Sequence, residues 1–169
     1  ELTCETRPDA PSANVVGEVV GRERPDEIVL LGAHLDSWDL GTGAIDDGAG
    51  CGIVIEAARQ IATLSPHPRR TIRVVLFANE ENGLAGGKAY AKDHAAELDR
   101  HVAALEVDMG QGPPLGLSWN AGPPAEAMLK AITGLMGALG AGQLKPGKSG
   151  GADISRMLPS GVPSLGLLQ

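Results

Sequence analysis

The chain has 169 residues, a net charge of -7, and 43% hydrophobic against 21% charged residues. That balance belongs to a globular domain long enough for one sizeable core. No apolar run approaches the roughly 18–20 residues a membrane-spanning helix needs, and an acidic chain without Lys/Arg clusters argues against a nucleic-acid partner. Aromatic residues make up only 2%, so the core is expected to be aliphatic and alanine-rich.

Residues 1–13 are polar and Pro-containing, and read as a linker or the tail of a preceding segment, with one domain over 14–169. Val15 to Val20 is a β-branched run bounded by Gly21, a strand. Arg22 to Glu27 reads as a charged turn, and Ile28 to Ala33 as a strand buried on both faces. With so short a turn between them, the two strands are candidates for a hairpin. From Gly48 to Leu64 the period becomes helical, with Ile53, Ala57, Ile61 and Leu64 on one face and Val54 and Ala58 beside them. Pro66-His67-Pro68 stops that helix. Thr71 to Ala78 reads as a second buried strand, Leu84 to Leu98 as an Ala-rich helix, and His101 to Val107 as a third buried strand.

Leu115 to Trp119 reads as a further strand. Pro123 and Pro124 open a helix that runs to about Leu139, with Ala125, Met128, Leu129, Ile132 and Met136 apolar. Residues 140–151 are Gly-rich and read as a flexible connection. Ala152 to Leu158 is a short helix that Asp153 would cap, and Val162 to Leu168 a last strand. Strands alternating with helices, several of them apolar throughout, specify an α/β sheet covered on both faces. The chain starts at Glu1 without a targeting signal and stops within an apolar run, so both ends read as cut and the domain as incomplete at its C-terminus. Gly142 to Ser149 fits the phosphate-loop pattern G-x-x-x-x-G-K-[ST], but it follows a helix and contains Pro146, so the required strand-to-helix context fails. Of the two cysteines, Cys51 reads as a buried free thiol and not as half of a Cys4–Cys51 bridge.

The chemistry concentrates where strands end. His34 and Asp36 follow one buried strand, Glu80 and Glu81 the next, and Asp108 the third. Asp46 and Asp47 sit at the start of the first helix. Carboxyl ends of strands are where sites assemble in open α/β sheets. Singly, each residue has a plain alternative: Asp46 or Asp47 as a helix cap, Glu80-Glu81 as a solvated loop, His34 as a hydrogen-bonded core histidine. Together they form a carboxylate-rich set with one imidazole, which suits zinc, cobalt or manganese. The set exceeds what one tetrahedral zinc takes, whereas two ions sharing a carboxylate accommodate it, and one carboxylate left free serves as general base.

The segments His34-Leu-Asp36-Ser37, Asp46-Asp47-Gly48, Asn79-Glu80-Glu81-Asn82-Gly83 and Val107-Asp108 resemble the M28 family of zinc exopeptidases. The resemblance extends from Val15 onward. It implies a three-layer αβα sandwich with a mixed, mostly parallel central sheet, two Zn²⁺ ions and a short peptide substrate. By the same resemblance His34 and Asp108 would hold one zinc, Glu81 the other, and Asp46 both. Glu80 would be the general base, Asp36 the partner that orients His34, and the Asp46–Asp47 peptide would be cis. A family histidine for the second zinc has no counterpart among His67, His94 and His101, and by family spacing would lie about ten residues past Gln169. Residues 1–169 would then hold one ion well and the second poorly, with weak hydrolysis or none. Ile154 departs from relatives that carry His after the aspartate.

The resemblance further implies an exported protein, secreted or periplasmic, and allows a homodimer. Amino- or carboxy-terminal specificity is left open. Two other readings stay beside the dizinc exopeptidase: a single-zinc glutaminyl cyclase-like enzyme, and an inactive module used for binding. Trp38 and Trp119 are read either as pocket lining or as packing, and Asp39 as a turn residue.

Overall fold

The computed structural model describes residues 3, 5, 7–108, 110, 112–147 and 150–169. Among the described residues, seven strands form one sheet: β1 (Val15–Val19), β2 (Arg24–His34), β3 (Arg70–Phe77), β4 (His101–Glu106), β5 (Gly116–Asn120), β6 (Gln143–Pro146) and β7 (Ser164–Leu168). Their order across the sheet is β1-β3-β2-β4-β7-β5-β6. The β1–β3 and β5–β7 pairs are antiparallel, while β3–β2, β2–β4, β4–β7 and β5–β6 are parallel. The sheet is therefore mixed and mostly parallel, as the resemblance implies. No helix of the described residues is long and apolar enough to cross a membrane.

The hairpin expected from the N-terminal strands does not form. β1 pairs with β3, and β3 separates it from β2. Burial explains the choice. Along Ile28–His34, β2 has no exposed residue, and it needs a neighbour on each edge, which β3 and β4 supply in parallel. The more exposed β1 takes the sheet's edge. The expected charged turn is also partly strand: β2 starts at Arg24, with a register shift before Ile28.

Alternation along the strands divides the core in two. Leu30, Val75, Phe77 and Ala104 pack with Tyr90, Leu98, Ile154, Met157 and Val162. Ala33, Val74, Leu76 and Val107 pack with Val54, against Leu31, Cys51, Ala58, Leu105 and Leu167. Helix α1 (Gly48–Ala62) thus covers one face, and α2 (Ala85–Asp93) with the 3₁₀ segments 95–100 and 154–160 covers the other. Helix α1 turns Cys51, Val54 and Ala58 inward, whereas Ile53 and Leu64 of the face picked out by periodicity are 39% and 54% exposed. Helix α3 (Pro123–Met136), against β5 and β6, buries Leu129 and Thr133 and leaves Met128 62% exposed.

Two segments differ from expectation in kind. Within the Gly-rich stretch, Gln143–Pro146 is an edge strand parallel to β5. It is short and flanked by Gly142 and Gly147, so it carries no strand signature. Lys148, Ser149 and Cys4 lie outside the described residues. Asp153, expected to cap its own helix, makes no side-chain cap there. Its Oδ1 instead accepts the Gly87 N–H in the first turn of α2, 3.0 Å away, although 66 residues separate the two. The N-cap of α2 is Leu84, which has no acceptor side chain. Gly87 has to be glycine, because a Cβ there would collide with Asp153. Glu106 in turn accepts the Asp153 and Ile154 N–H groups, linking the end of β4 to this arrangement.

Asp153 is 1% exposed and its Oδ2 has no hydrogen-bond partner. Burial is the main force that raises its pKa from 3.8 to about 7, against the hydrogen bond from Gly87. An acid raised by folding binds its proton in the native state first, so this contribution to stability falls as pH rises from about 4 to about 7. We expect Asp153→Ala to cost roughly 2 kcal/mol, the loss of a cap plus a stranded buried N–H. Asp153→Asn, which keeps an acceptor oxygen, should cost less and flatten the slope of thermal midpoint against pH in that window. Equal slopes in the parent and the Asn variant would refute the assignment.

Candidate metal centre

Three adjacent parallel strands, β3, β2 and β4, end side by side and aim the acidic loops at one place. His34 is the last residue of β2 and sits opposite Phe77, the last of β3. Asp108 lies two residues beyond β4, and Glu80 and Glu81 three and four residues beyond β3. Helix α1 begins behind them at Gly48, so Asp46 and Asp47 arrive at its N-terminus.

The imidazole is the hub. It is 1% exposed, with Nε2 at 3.0 Å from Asp46 Oδ1 and 3.3 Å from Asp108 Oδ1. Its Nδ1 lies 3.0 Å from the carbonyl oxygen of Asp36. A carbonyl only accepts, so Nδ1 carries a proton and donates it. In the neutral ring, Nε2 then presents a lone pair to two carboxylate oxygens, a repulsive arrangement unless a cation lies between. The ionisation of the ring expresses the same demand. Burial works to lower its pKa, but the hydrogen bond to Asp108 and the charges of Asp108, Asp47 and Glu80 outweigh it and lift the pKa to about 10.

Asp36 acts differently from the expected orienting partner. Its carbonyl holds the ring, while its carboxylate stands 3.7 Å from Nδ1. That carboxylate instead accepts the backbone N–H groups of Glu80, at 2.8 Å, and Glu81, at 3.1 Å. One residue therefore ties the end of β2 to the turn after β3. The turn is also closed by its own backbone, with the Gly83 and Leu84 N–H groups donating to the Glu80 carbonyl and Ala85 N–H to that of Asn79. Asn14 fastens it from outside: its Oδ1 accepts the Ala78 N–H and its Nδ2 donates to the Gly86 carbonyl.

Asp47 matters for its side chain as well as its backbone. The Asp46–Asp47 peptide is cis, as the resemblance implies. Buried Asp47 accepts the Gly50 N–H through Oδ1 at 3.1 Å, capping α1, and the His34 N–H through Oδ2 at 2.9 Å. Burial is the first cause that raises its pKa, to about 6. Gly50 is a glycine by necessity, because a Cβ would strike Asp47 and the Val107 carbonyl. Cys51 is a free thiol donating to the His34 carbonyl, and its pKa is raised to about 11, first by burial and then by Asp47. It is therefore a thiol and not a thiolate near neutral pH.

Donor atoms of His34, Asp46 and Asp108 lie within 4.8 Å of one another, and so do those of His34, Glu80 and Glu81. All five residues assigned to ligation or base chemistry are thereby brought together around one imidazole. A metal fits them on independent grounds: an Nε2 that faces two carboxylates and needs a cation there, a metal ion or its own proton, and a Glu81 Oε1 that is buried with no hydrogen-bond partner. Imidazole nitrogen with carboxylate oxygens is a donor set for zinc or a similar divalent ion. Glu80 has its pKa raised, first by burial and then by Asp108, with His34 opposing. His94 and His101 lie instead in the layer under α2. Trp38 is 60% exposed in the acidic loop, and Trp119 stands on β5 opposite Leu165.

The model of peptidase family M28 matches residues 14–169. Carboxypeptidase Q of Mus musculus is 36% identical over 167 residues, covering 99% of this chain and 35% of its own. The Homo sapiens protein of the same name is 37% identical over 169 residues, with the same coverage. The chain thus spans 35% of the length of these relatives. Among solved structures, a peptidase M28 precursor from Shewanella amazonensis SB2B superposes with a TM-score of 0.87 at 50% identity, over 92% of this chain and 35% of that one. A zinc aminopeptidase from Bacillus subtilis superposes at 0.69 and 23% identity, over 91% and 39%, a likeness of fold alone. On the family match and the fold it shares, the chain belongs to peptidase family M28.

Proposed function

We propose that this chain forms the catalytic core of a dizinc exopeptidase that hydrolyses terminal peptide bonds of short peptides. The observation that carries the reading is the convergence of His34, Asp46, Asp108, Glu80 and Glu81 at the ends of three parallel strands, with His34 common to both groups. His34 and Asp108 would hold one zinc, Glu81 the other, and Asp46 both. Zinc bound there would polarise the scissile carbonyl and acidify a water, supplying Lewis-acid chemistry that carboxylates cannot.

The chain's own residues handle the proton. Glu80 takes it from the attacking water and returns it to the departing amine. A carboxylate whose pKa burial and neighbouring charge have raised is better matched to that exchange near neutral pH. Asp36 holds the Glu80 backbone while its carbonyl keeps the His34 proton on Nδ1, so base and ligand keep a common frame. The reading carries with it an exported enzyme.

Zinc titration, anomalous diffraction at the zinc edge, and assay of dipeptides blocked at either end test the proposal. In the full-length protein, two ions flanking Asp46 and turnover of an unblocked terminus support it; residues 1–169 alone should hold one ion well and the second poorly, with weak hydrolysis or none. An empty cluster in excess zinc would overturn it. A single ion with pyroglutamate formation from N-terminal glutamine would replace it with the cyclase reading.

A further inference from the structure

Toward the amino ends of β3 and β4 lies a second cluster of titratable groups, which peptide hydrolysis does not use. Arg73 of β3 donates from Nε to Glu18 Oε1 on β1 at 2.7 Å. From Nη1 it donates to Tyr90 Oη on α2 at 2.8 Å and to Glu97 Oε1 in the 95–100 segment at 2.5 Å. His101, the first residue of β4, places Nε2 2.9 Å from Tyr90 Oη and Nδ1 3.0 Å from the Glu97 carbonyl. The His94 ring stacks on Tyr90, 4.2 Å between centroids, and its Nδ1 lies 2.6 Å from Glu97 Oε1. Tyr90 is 2% exposed, His101 3% and Arg73 9%. The centre of the cluster is thus shut from water, whereas the Glu18, Glu97 and His94 side chains at its rim are 35%, 26% and 33% exposed.

The donors and acceptors fix where each proton sits. The Glu97 carbonyl only accepts, so His101 carries its proton on Nδ1 and its Nε2 accepts the Tyr90 O–H. Tyr90 Oη, having given its hydrogen to His101, accepts from Arg73. A proton added to His101 reverses the middle bond. Nε2–H would then point at a hydroxyl oxygen that already accepts from a guanidinium, and the Tyr90 hydrogen would lose its acceptor with no water to turn to.

We propose that His101, Tyr90 and Arg73 form an acid-opened latch, in which protonation of His101 releases the hold of the sheet on α2 and the 95–100 segment. These segments directly follow the Glu80–Glu81 turn in the chain. The groups facing the imidazole are Tyr90 and His94 from α2, Arg73 from β3 and Glu97 from the 95–100 segment, with Glu18 of β1 behind Arg73. Among the described residues Glu97 is the anion facing the ring directly, and it is already shared between Arg73 and His94. Burial is the largest influence on the imidazole and lowers its pKa from 6.5; the backbone hydrogen bond to Glu97 opposes the shift. A histidine depressed by folding contributes its full stability above the unfolded value near 6.5 and loses it as pH falls through the folded value.

Ring NMR of His101 and amide hydrogen exchange between about pH 7 and about pH 5 test the latch. The comparison is between the chain and His101→Gln, whose amide keeps a donor and an acceptor but cannot be protonated. His101 should show the Nδ1–H tautomer and titrate below 6.5. Exchange over residues 85–100, corrected for its intrinsic pH dependence and referenced to β2, should quicken at acid pH by at least roughly threefold. In His101→Gln that rise should vanish. Tyr90→Phe should move the His101 titration upward, because the donor that favours the neutral ring is gone. A His101 that titrates at or above 6.5, or the same acid-dependent exchange in His101→Gln, would overturn the proposal. Should the Gln variant not fold, the parent's ring titration and its shift in Tyr90→Phe decide it.

Discussion

Replacing His34 with alanine is expected to cut zinc affinity by at least about 100-fold and, in the full-length protein, to take peptide hydrolysis to background. Loss of a partner that merely supports a ligand costs roughly 10–100-fold, so loss of the ligand itself should exceed that range. The structure adds a reason particular to this site. His34 is the one residue shared by the Asp46–Asp108 group and the Glu80–Glu81 group, and its imidazole is the only donor in either that can bind uncharged. Without it the cluster is carboxylates alone, and their mutual repulsion works against a tight arrangement. The fold should survive, because the strand is held by its backbone. Leu35 N–H donates to the Phe77 carbonyl, and the His34 N–H still reaches Asp47. Calorimetric zinc titration beside a chelator, with circular dichroism as the folding control, measures both halves. Retained zinc affinity in a folded His34→Ala chain would contradict the ligand assignment.

Glu80→Gln should separate binding from chemistry. A positioned general acid–base group contributes about 10²–10⁴ in rate, and kcat of the full-length protein should fall by that range while zinc content and KM hold. Glutamine preserves shape and a carbonyl oxygen, but cannot take the proton. Asp36 offers the matching control. Asp36→Ala frees the Glu80 and Glu81 N–H groups and leaves the Asp36 carbonyl on the His34 ring, so turnover should suffer more than metal affinity. Asp36→Asn, with one acceptor oxygen left, should fall between. If Asp36→Ala instead strips zinc and leaves kcat per bound metal unchanged, its carboxylate serves the imidazole and not the base.

Much of this could be read from the chain. β3 and β4, and β2 from Ile28 onward, are legible because a strand covered on both faces needs unbroken apolar runs. Asp36, Glu80, Glu81 and Asp108 are legible because they come shortly after such runs, and Asp46 because it stands at the start of the helix that follows the first. What escaped notice was set by partners far away in sequence. Nothing near Asp153 announces that its acceptor serves Gly87, and nothing near His101 announces Tyr90 or Arg73. Asp36 was placed correctly beside His34, yet its carboxylate spends itself on amides more than 40 residues on. Periodicity also misjudged α1, where small Cys51 and Ala58 let the helix approach the sheet and left larger Ile53 and Leu64 outside. Volume at the contact outweighed hydrophobicity there.

The seating of β3 between β1 and β2 also dictates an order of events during synthesis. Val15 to Val19 has no partner until Ile72 to Leu76 has been made. The β2 that emerges just after it cannot take its place as a neighbour. For the time the ribosome needs to add some sixty residues, at about 5–20 residues per second, Val-Val-Gly-Glu-Val waits as an unpaired apolar segment. Contacts so distant in sequence also slow folding, because the intervening loop must close first. Glu18, which breaks the valine run and later pairs with Arg73 of the strand it awaits, is placed where a charge deters premature association with another chain.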